Sequence, residues 1–169
     1  IGLVRQVGEN FLKKALSALP DDNRTRRLQV VDMNGHVLLV VTRPAKLIKS
    51  TVNVTRGDGT LIGQIVQKNL GLIGKIRLQL ESGGRTLGFI NAEDWRAWDF
   101  NIQDTAGNEI ARITKTWAGL AKEWFTNADN YVVQVHRPLE EPLRSLVVAA
   151  ALAVDTVLRQ DSSGSTRRR

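Results

Sequence analysis

Residues 143–158 read LRSLVVAAALAVDTVL, and this run is apolar on every side when it is wound as a helix. Such a helix must be surrounded by other apolar surface. Its sixteen residues span about 24 Å, which is less than the ~30 Å core of a bilayer, and Asp155 interrupts the run near its end. We therefore predict that protein surrounds it. Four alanines within residues 149–153 keep the helix slim, as the interior of a small barrel demands.

Most of the chain before this helix is built of short β-branched or alternating runs joined by turn sequences. Asn-Gly, Asp-Gly and Gly-Gly supply the positive φ angles that tight hairpins need. The turns are 32–35, 56–59, 81–84 and 104–107, and the paired runs are 28–31 with 37–42, 51–55 with 61–67, 76–80 with 86–90, and 98–103 with 110–116. A further strand at 131–135 leads to the helix. We predict a mainly β chain, a closed antiparallel β-barrel wrapped around its C-terminal helix.

The two ends of the chain differ from this central part. Residues 9–19 place apolar side chains on one helical face, which predicts a short N-terminal amphipathic helix. That helix would either pack on its own domain or lie on a membrane. We assign residues 1–22 to this helix and a linker, residues 23–160 to the barrel domain, and the wholly polar residues 161–169 to a disordered tail.

The charge of the chain is uneven along its length. The formal net charge is +7, and residues 43–85 carry eight basic and two acidic side chains, whereas residues 86–141 carry five and nine. A basic middle part of this kind is typical of a surface that meets phosphate groups, in lipid or in nucleic acid. The alternative is an ordinary solvated sheet face with scattered cations.

Residues that carry enzyme chemistry are scarce. The chain has no cysteine, and neither His36 nor His136 has an obvious nucleophile or metal ligand beside it in the sequence. The segment at residues 71–75 is too short for a phosphate-binding loop, and Ile76 stands where such a loop needs Ser or Thr. We therefore predict that the protein is not an enzyme.

One motif is specific. In residues 110–131 a strand ends in Lys-x-Trp-x-Gly, and Glu-x-Phe-Thr, an Asn-Ala-Asp step and an aromatic residue follow. This run resembles the signature of the phospholipid scramblase family, and the resemblance extends over about residues 95–160. The matching positions are Lys115, Trp117, Gly119, Glu123, Phe125, Thr126, Asn127, Ala128, Asp129 and Tyr131.

The resemblance implies a fold and an activity. It implies the tubby-like fold, in which a β-barrel is threaded by its C-terminal helix, and it therefore agrees with the pattern of strands. The family is associated with lipid binding and with calcium-dependent mixing of phospholipids between bilayer leaflets. A fold transfers between relatives more safely than a function does.

The family's calcium segment is poorly kept in this chain. It resembles an EF-hand loop, which needs oxygen ligands at several fixed positions. Counted from Asn127, only Asn127 and Asp129 offer usable ligands, and Val132 occupies the glycine position. These two residues are the remaining metal candidates, and we expect neither tight calcium binding nor any other cofactor.

These observations favour a scramblase-related protein that binds anionic phospholipid. We expect it to be cytoplasmic and peripheral, at the inner face of the plasma membrane, with a possible part in scrambling. The expected lipid-binding residues are Arg43, Lys46, Lys49, Arg56, Lys68, Lys75 and Arg77. Two alternatives remain at this stage, a nucleic-acid-binding or regulatory module that uses the same basic face, and a ligand-binding scaffold with no membrane role.

Overall fold

The computed structural model describes residues 3–6, 25–44, 50–68, 76–92, 98–115 and 131–165. For residues 3–6, 76, 115, 131 and 155–165 only the backbone is considered. These residues form ten strands and one helix: β1 Leu3–Gln6, β2 Arg26–Val31, β3 Val37–Arg43, β4 Thr51–Arg56, β5 Leu61–Gln67, β6 Ile76–Ser82, β7 Arg85–Ala92, β8 Asp99–Asp104, β9 Glu109–Lys115, β10 Tyr131–Val135 and α1 Leu143–Ser165.

The ten strands form one antiparallel meander in which each strand pairs with its neighbours in the sequence, from β1 to β10. The four predicted hairpins are confirmed. Their turns contain glycines in the left-handed region, for example Gly35 at φ 85° and Gly107 at φ 88°, where a side chain would strain the backbone. The mainly β character that was predicted from the spacing is therefore correct.

The N-terminal part differs from the prediction in one place. Residues 3–6, which we assigned to the helix and linker of residues 1–22, form β1, and Leu3 lies opposite Val31 of β2. This strand satisfies backbone groups on the edge of β2 that would otherwise lack partners in the sheet. The amphipathic helix predicted for residues 9–19 lies outside the described residues.

The helix packs against the inward face of the sheet. Leu146, Ala149, Ala150 and Ala153 are completely buried, and α1 contacts β3, β4, β5 and β10. Because β10 ends the strand order while β3 to β5 lie near its other end, the sheet must curl for one helix to contact both groups. The prediction that strands wrap around the helix is confirmed to that extent.

A close contact shows how tightly the helix and the sheet approach each other. A Cβ atom added to Gly63 of β5 would collide with the backbone oxygen of Glu81 and would lie 3.2 Å from the side-chain methyls of Leu146. Only glycine leaves room at this point for both the neighbouring strand and the helix.

Closure of the barrel is not confirmed. Within the described residues, β1 pairs only with β2 and β10 pairs only with β9, so no ladder joins the two ends of the meander. The helix is also not covered on every side, because Val148 is 43% exposed. Full closure requires hydrogen bonds along both terminal strands, and β1 has only four residues.

The helix is longer than we predicted. It continues to Ser165, beyond the expected end at residue 158 and into the segment 161–169 that was expected to be disordered. Adding a residue to an existing helix costs far less than nucleating one, so polar residues can extend a helix that has already formed. Among the described residues, no helix meets the length and hydropathy needed to cross a bilayer.

The meander gives the sheet two distinct ends. The tight turns between β2 and β3, β4 and β5, β6 and β7, and β8 and β9 all lie at one end, which we call the turn end. At the other end, the connection end, β3, β5, β7 and β9 finish, and the next strands begin. The first and last residues of each strand therefore belong to known ends of the molecule.

The packing of α1 predicts a clear mutational contrast. Replacing the buried Ala150 by leucine should lower the free energy of unfolding by about 1–3 kcal/mol, because the extra methylenes overfill a close-packed interface. Leucine at Val148, which lies two residues away in α1 and is exposed, should change the free energy of unfolding by less than about 0.5 kcal/mol. Urea unfolding followed by circular dichroism measures both, and equal effects would contradict the packing described.

Candidate functional site

The structure describes four of the seven basic residues expected to bind lipid, and it does not place these four together. Arg43, Arg56, Lys68 and Arg77 are described, whereas Lys46, Lys49 and Lys75 lie outside the described residues. The four occupy three different environments: the interior, the turn end and the outer face of the sheet.

Arg43 is a buried residue. It ends β3 on the same side as the core residues Leu39 and Val41, and it is only 2% exposed. Its partner across the sheet is Arg26 of β2, so two arginines stand directly opposite each other near the connection end. A side chain so deeply buried offers almost no surface to a flat bilayer in this structure, and the role of Arg43 in lipid binding stays a prediction.

Arg56 lies at the wrong end to act with the others. It ends β4 beside the turn 57–60, where its N–H donates to the carbonyl of Thr60 at 2.8 Å. Lys68 and Arg77 lie near the connection end. A strand of seven residues spans about 20 Å, so a surface that meets one end of the sheet does not also reach the other end.

Lys68 and Arg77 form a pair on the outer face of the sheet. The backbone N–H of Lys68 donates to the carbonyl of Arg77 at 2.9 Å, so the two residues are neighbours across β5 and β6. The Lys68 ammonium lies 3.0 Å from a carboxylate oxygen of Glu81, and the Arg77 guanidinium carbon lies 4.2 Å from the ring centre of Phe89. Both cations remain exposed, but Glu81 offsets one of them.

A polar row continues from Arg77 across the outer face. The register aligns Arg77, Asn91, Asn101, Arg112 and Gln134 on five successive strands from β6 to β10. Outward positions of this sheet therefore carry amides and charges, while the positions between them carry the apolar core.

Arg112 is an ion-paired residue that the sequence analysis did not single out. Its Nη1 donates to both carboxylate oxygens of Asp99 at 2.9 Å, and its Nε and Nη2 donate to Glu109 at 2.9 and 3.0 Å. The hydrogen bond to Glu109 raises the pKa of Arg112, and the same bond lowers the pKa of Glu109. The sequence held one signal for this cluster, because its charged residues fall at outward positions on the two strands of the β8–β9 hairpin.

At the turn end, aspartate carboxylates form hydrogen bonds that stabilise three of the four tight turns. The side chains of Asp32, Asp58 and Asp104 each accept backbone N–H groups of their own turns, at 2.8 to 3.0 Å. These backbone hydrogen bonds are the main cause that lowers the pKa of each carboxyl. Asp104 also accepts a 2.7 Å hydrogen bond from Arg137.

The histidines have structural partners at this end. His36 Nδ1 lies 3.1 Å from Asp32, and His136 Nδ1 lies 3.8 Å from Glu109. Across the part of the chain that the structure describes, no three His, Asp or Glu side chains gather in a way that could hold a metal ion. The described histidines are thus placed beside carboxylates of turns and strands.

The first and last residues of the family motif are paired in the sheet. Lys115 ends β9 and Tyr131 begins β10, and the register places these two residues directly opposite each other at the connection end. The motif positions between them lie outside the described residues: Trp117, Gly119, Glu123, Phe125, Thr126, Asn127, Ala128 and Asp129. The calcium candidates Asn127 and Asp129 therefore stay a prediction.

Comparison with known proteins decides the family. The family model described as Scramblase matches residues 13–159, which includes every described strand except β1. The chain belongs to the scramblase family. The matched region of this scramblase-family chain contains β2 to β10 and most of α1, and the resemblance seen in residues 110–131 is confirmed.

Curated relatives carry the same family name at low identity. The chain is 24% identical over 155 residues to human phospholipid scramblase family member 5, covering 82% of this chain and 56% of the relative. It is 24% identical over 143 residues to a phospholipid scramblase family protein of Schizosaccharomyces pombe, covering 79% and 37%. Against human phospholipid scramblase 1 the identity is 22% over 155 residues, covering 85% and 48%.

The scramblase-family chain thus spans about half the length of these relatives, or less. A shorter segment is more similar, since 46 residues are 35% identical to human phospholipid scramblase 2. No solved structure matches the chain.

The turn carboxylates predict an acid-sensitive stability. Their pKa is lower in the folded chain than the usual 3.8, so their stabilising effect is complete above that pH and is lost as the pH falls through the folded-state pKa. The Asp104→Asn variant keeps an oxygen acceptor for the turn but does not titrate. Its Tm should fall less than that of the parent between neutral pH and about pH 3.

The matched control is Glu140→Gln, because Glu140 is exposed and lies outside the four turns. Across this pH range, the Tm of the Glu140→Gln control should fall by the same amount as the Tm of the parent. If the Tm of Asp104→Asn fell with pH as much as that of the parent, the Asp104 carboxyl would not be a source of the acid sensitivity.

Proposed function

We propose that this domain binds the surface of anionic phospholipid membranes and takes part in moving phospholipid between leaflets, acting at the cytoplasmic face of the plasma membrane. The family match over residues 13–159 is the observation that carries the proposal. Relatives named phospholipid scramblases, found in human and in fission yeast, support the same class of substrate.

The charge of the chain supports binding to anionic lipid. The chain carries a net charge of +7, and Arg27 and Arg77 are exposed cations near the connection end, where Lys68 is exposed but paired with Glu81. Each Lys or Arg close to an anionic surface contributes about 1 kcal/mol, so several acting together give binding that weakens as salt is added. The residues Lys46, Lys49 and Lys75 belong to the same proposal, although they lie outside the described residues.

The packing of α1 limits what the domain does by itself. Seven residues between Leu146 and Val154 are buried against the sheet, so this face of the helix offers lipid head groups no path. Phospholipid transfer therefore requires either that the helix leave the sheet or that further protein supply the path. Since the chain covers about half of its relatives or less, we assign membrane binding to this domain and leave the path to other protein.

Liposome flotation tests the binding step. The chain should float with phosphatidylcholine vesicles that contain phosphatidylserine, and the bound fraction should rise with the phosphatidylserine content and fall as salt is added. Vesicles of pure phosphatidylcholine are the control. Equal recovery with neutral and anionic vesicles would contradict the proposal.

A calcium arm belongs to the same experiment. Because only Asn127 and Asp129 keep usable ligands in the EF-hand-like segment, flotation in calcium and in a chelator should be equal. An Asn127→Ala, Asp129→Ala double variant that lost calcium-stimulated flotation would show that the segment binds the ion after all.

A further inference from the structure

We propose that Asn34 is a site of spontaneous deamidation in the folded protein, and that the carboxylate of Asp32 slows the reaction by holding the turn between β2 and β3 closed. Asn34 and Gly35 lie at the tip of this turn, and both are exposed. The reaction does not depend on whether the protein binds lipid, so it stands apart from the proposed function.

Deamidation of asparagine uses the backbone of the following residue. The amide nitrogen of Gly35 attacks the side-chain carbonyl carbon of Asn34, so a new C–N bond forms and the C–N bond of the carboxamide breaks. The proton of the attacking N–H leaves with the carboxamide nitrogen as ammonia, and a cyclic succinimide remains. Water then opens the ring at either of its two carbonyls, which gives aspartate or isoaspartate.

The residue after Asn34 makes this attack easy. Asn34 is the one asparagine of the sequence that glycine follows, whereas Val54 follows Asn53 and Glu109 follows Asn108. A side chain on the following residue crowds the approach of its amide nitrogen to the carboxamide, and glycine has none. A Cβ atom added at Gly35 would meet nothing within 4 Å, so the surrounding protein does not crowd this position either.

The Asn34 carboxamide is also free to move. Of the hydrogen bonds made by the described residues, none involves this carboxamide, and the neighbouring Met33 is 80% exposed. The carboxamides of the other four described asparagines are held by hydrogen bonds: Asn53 accepts from Gln64, and Asn91, Asn101 and Asn108 donate to Gln103, Glu109 and Asp104.

The backbone of the turn restrains the attacking nitrogen. The Gly35 N–H donates to the carbonyl of Asp32 at 3.1 Å, and this hydrogen bond must open before the nitrogen attacks. The Asp32 carboxylate stabilises the same turn, because its Oδ1 accepts the backbone N–H groups of Asn34 and His36 at 2.8 Å each. Local opening of an exposed turn costs far less than global unfolding, so the folded protein reacts, but more slowly than the unfolded chain.

Asp58-Gly59 in the turn between β4 and β5 is the second candidate of this kind. Aspartate forms the same succinimide with loss of water, but only when it is protonated, because a carboxylate is a poor electrophile. The hydrogen bond from the Thr60 backbone N–H lowers the pKa of Asp58, so this side chain is ionised at neutral pH. Asn34 is therefore expected to react before Asp58.

The two products change the hairpin in different ways. Both add one carboxylate to the turn end, so the net charge falls from +7 by one unit. Aspartate is accepted in turns and keeps the length of the main chain. Isoaspartate carries the main chain through its side chain and lengthens it by one methylene. Because loop length fixes the register of a hairpin, isoaspartate should loosen the pairing of β2 with β3.

Peptide mapping by mass spectrometry tests the site. The folded chain is incubated in mildly alkaline buffer below its Tm, and samples are digested with trypsin, with the unincubated chain as the baseline. Residues 28–46 form one peptide, because trypsin does not cleave between Arg43 and Pro44, and Asn34 is its one asparagine. This peptide should gain one mass unit in a fraction that grows with time, and the peptides that contain Asn53 and Asn108 should keep their mass.

The same incubation in urea measures the reaction of the unfolded chain. The folded chain should react at Asn34 more slowly than the unfolded chain does. No mass gain at Asn34 in the folded chain would overturn the proposal, and so would an equal gain at Asn53 or Asn108. Equal rates with and without urea would show that the turn does not restrain the reaction.

Three variants test the part assigned to Asp32. Asp32→Ala should raise the rate in the folded chain about fivefold, which is the effect of losing one hydrogen bond of ordinary strength. Asp32→Asn keeps an oxygen acceptor and should react about as slowly as the parent. Asp58→Ala is the matched control, because it removes the carboxylate that accepts the Thr60 N–H in another turn, and it should leave the rate at Asn34 unchanged.

The rates of these variants in urea should all equal that of the parent, and their Tm values show that each is folded during the incubation. An unchanged or lower rate in folded Asp32→Ala, or an equal rise in Asp58→Ala, would overturn the role of Asp32. The comparison of the parent with and without urea tests the same restraint even if Asp32→Ala does not fold.

Discussion

The packing of α1 into the concave face of the meander is the contact on which the rest of the structure depends. Ala149, Ala150 and Ala153 are completely buried, and their small side chains let the helix approach strands from distant parts of the sheet order. A sheet that contacts one helix through both β3 and β10 has to curl. Side chains alternate between the two faces of every strand, so one set faces the helix inside the curled sheet, and charged residues are left the outer face and the two ends.

This division explains why the basic residues do not form one continuous face. Inward positions mostly hold apolar side chains, and Arg43 and Gln67, each buried at the end of its strand, are polar exceptions among the described residues. Outward cations meet carboxylates or rings on neighbouring strands, as Lys68 meets Glu81 and Arg77 meets Phe89. Exposure and position along the strand therefore decide which cations are available to a membrane, and the number of Lys and Arg residues in a stretch of sequence does not.

The chain belongs to the scramblase family, although its identity to the named relatives is only 20% to 24% over most of its length. Such a distance preserves the pattern of strands, turns and buried helix because many different apolar residues can fill the same core. It preserves a functional site only residue by residue. At the segment expected to resemble an EF-hand loop, this chain has Asn127 and Asp129 as usable oxygen ligands, and weak calcium binding there stays a prediction.

Local patterns in the sequence determined the hairpins, the start of α1 and the family. Turn dipeptides such as Asn34-Gly35 act locally, because their own backbone adopts the positive φ angles of a tight hairpin, and an all-apolar helix requires burial whatever surrounds it. Only the tertiary structure decided the strand at residues 3–6, the open ladder between β1 and β10, and the burial of Arg43 opposite Arg26. It also decided that Arg56 and Arg77 lie toward opposite ends of the sheet. These features depend on strand register and direction, which bring together residues far apart in the chain and which no local pattern specifies.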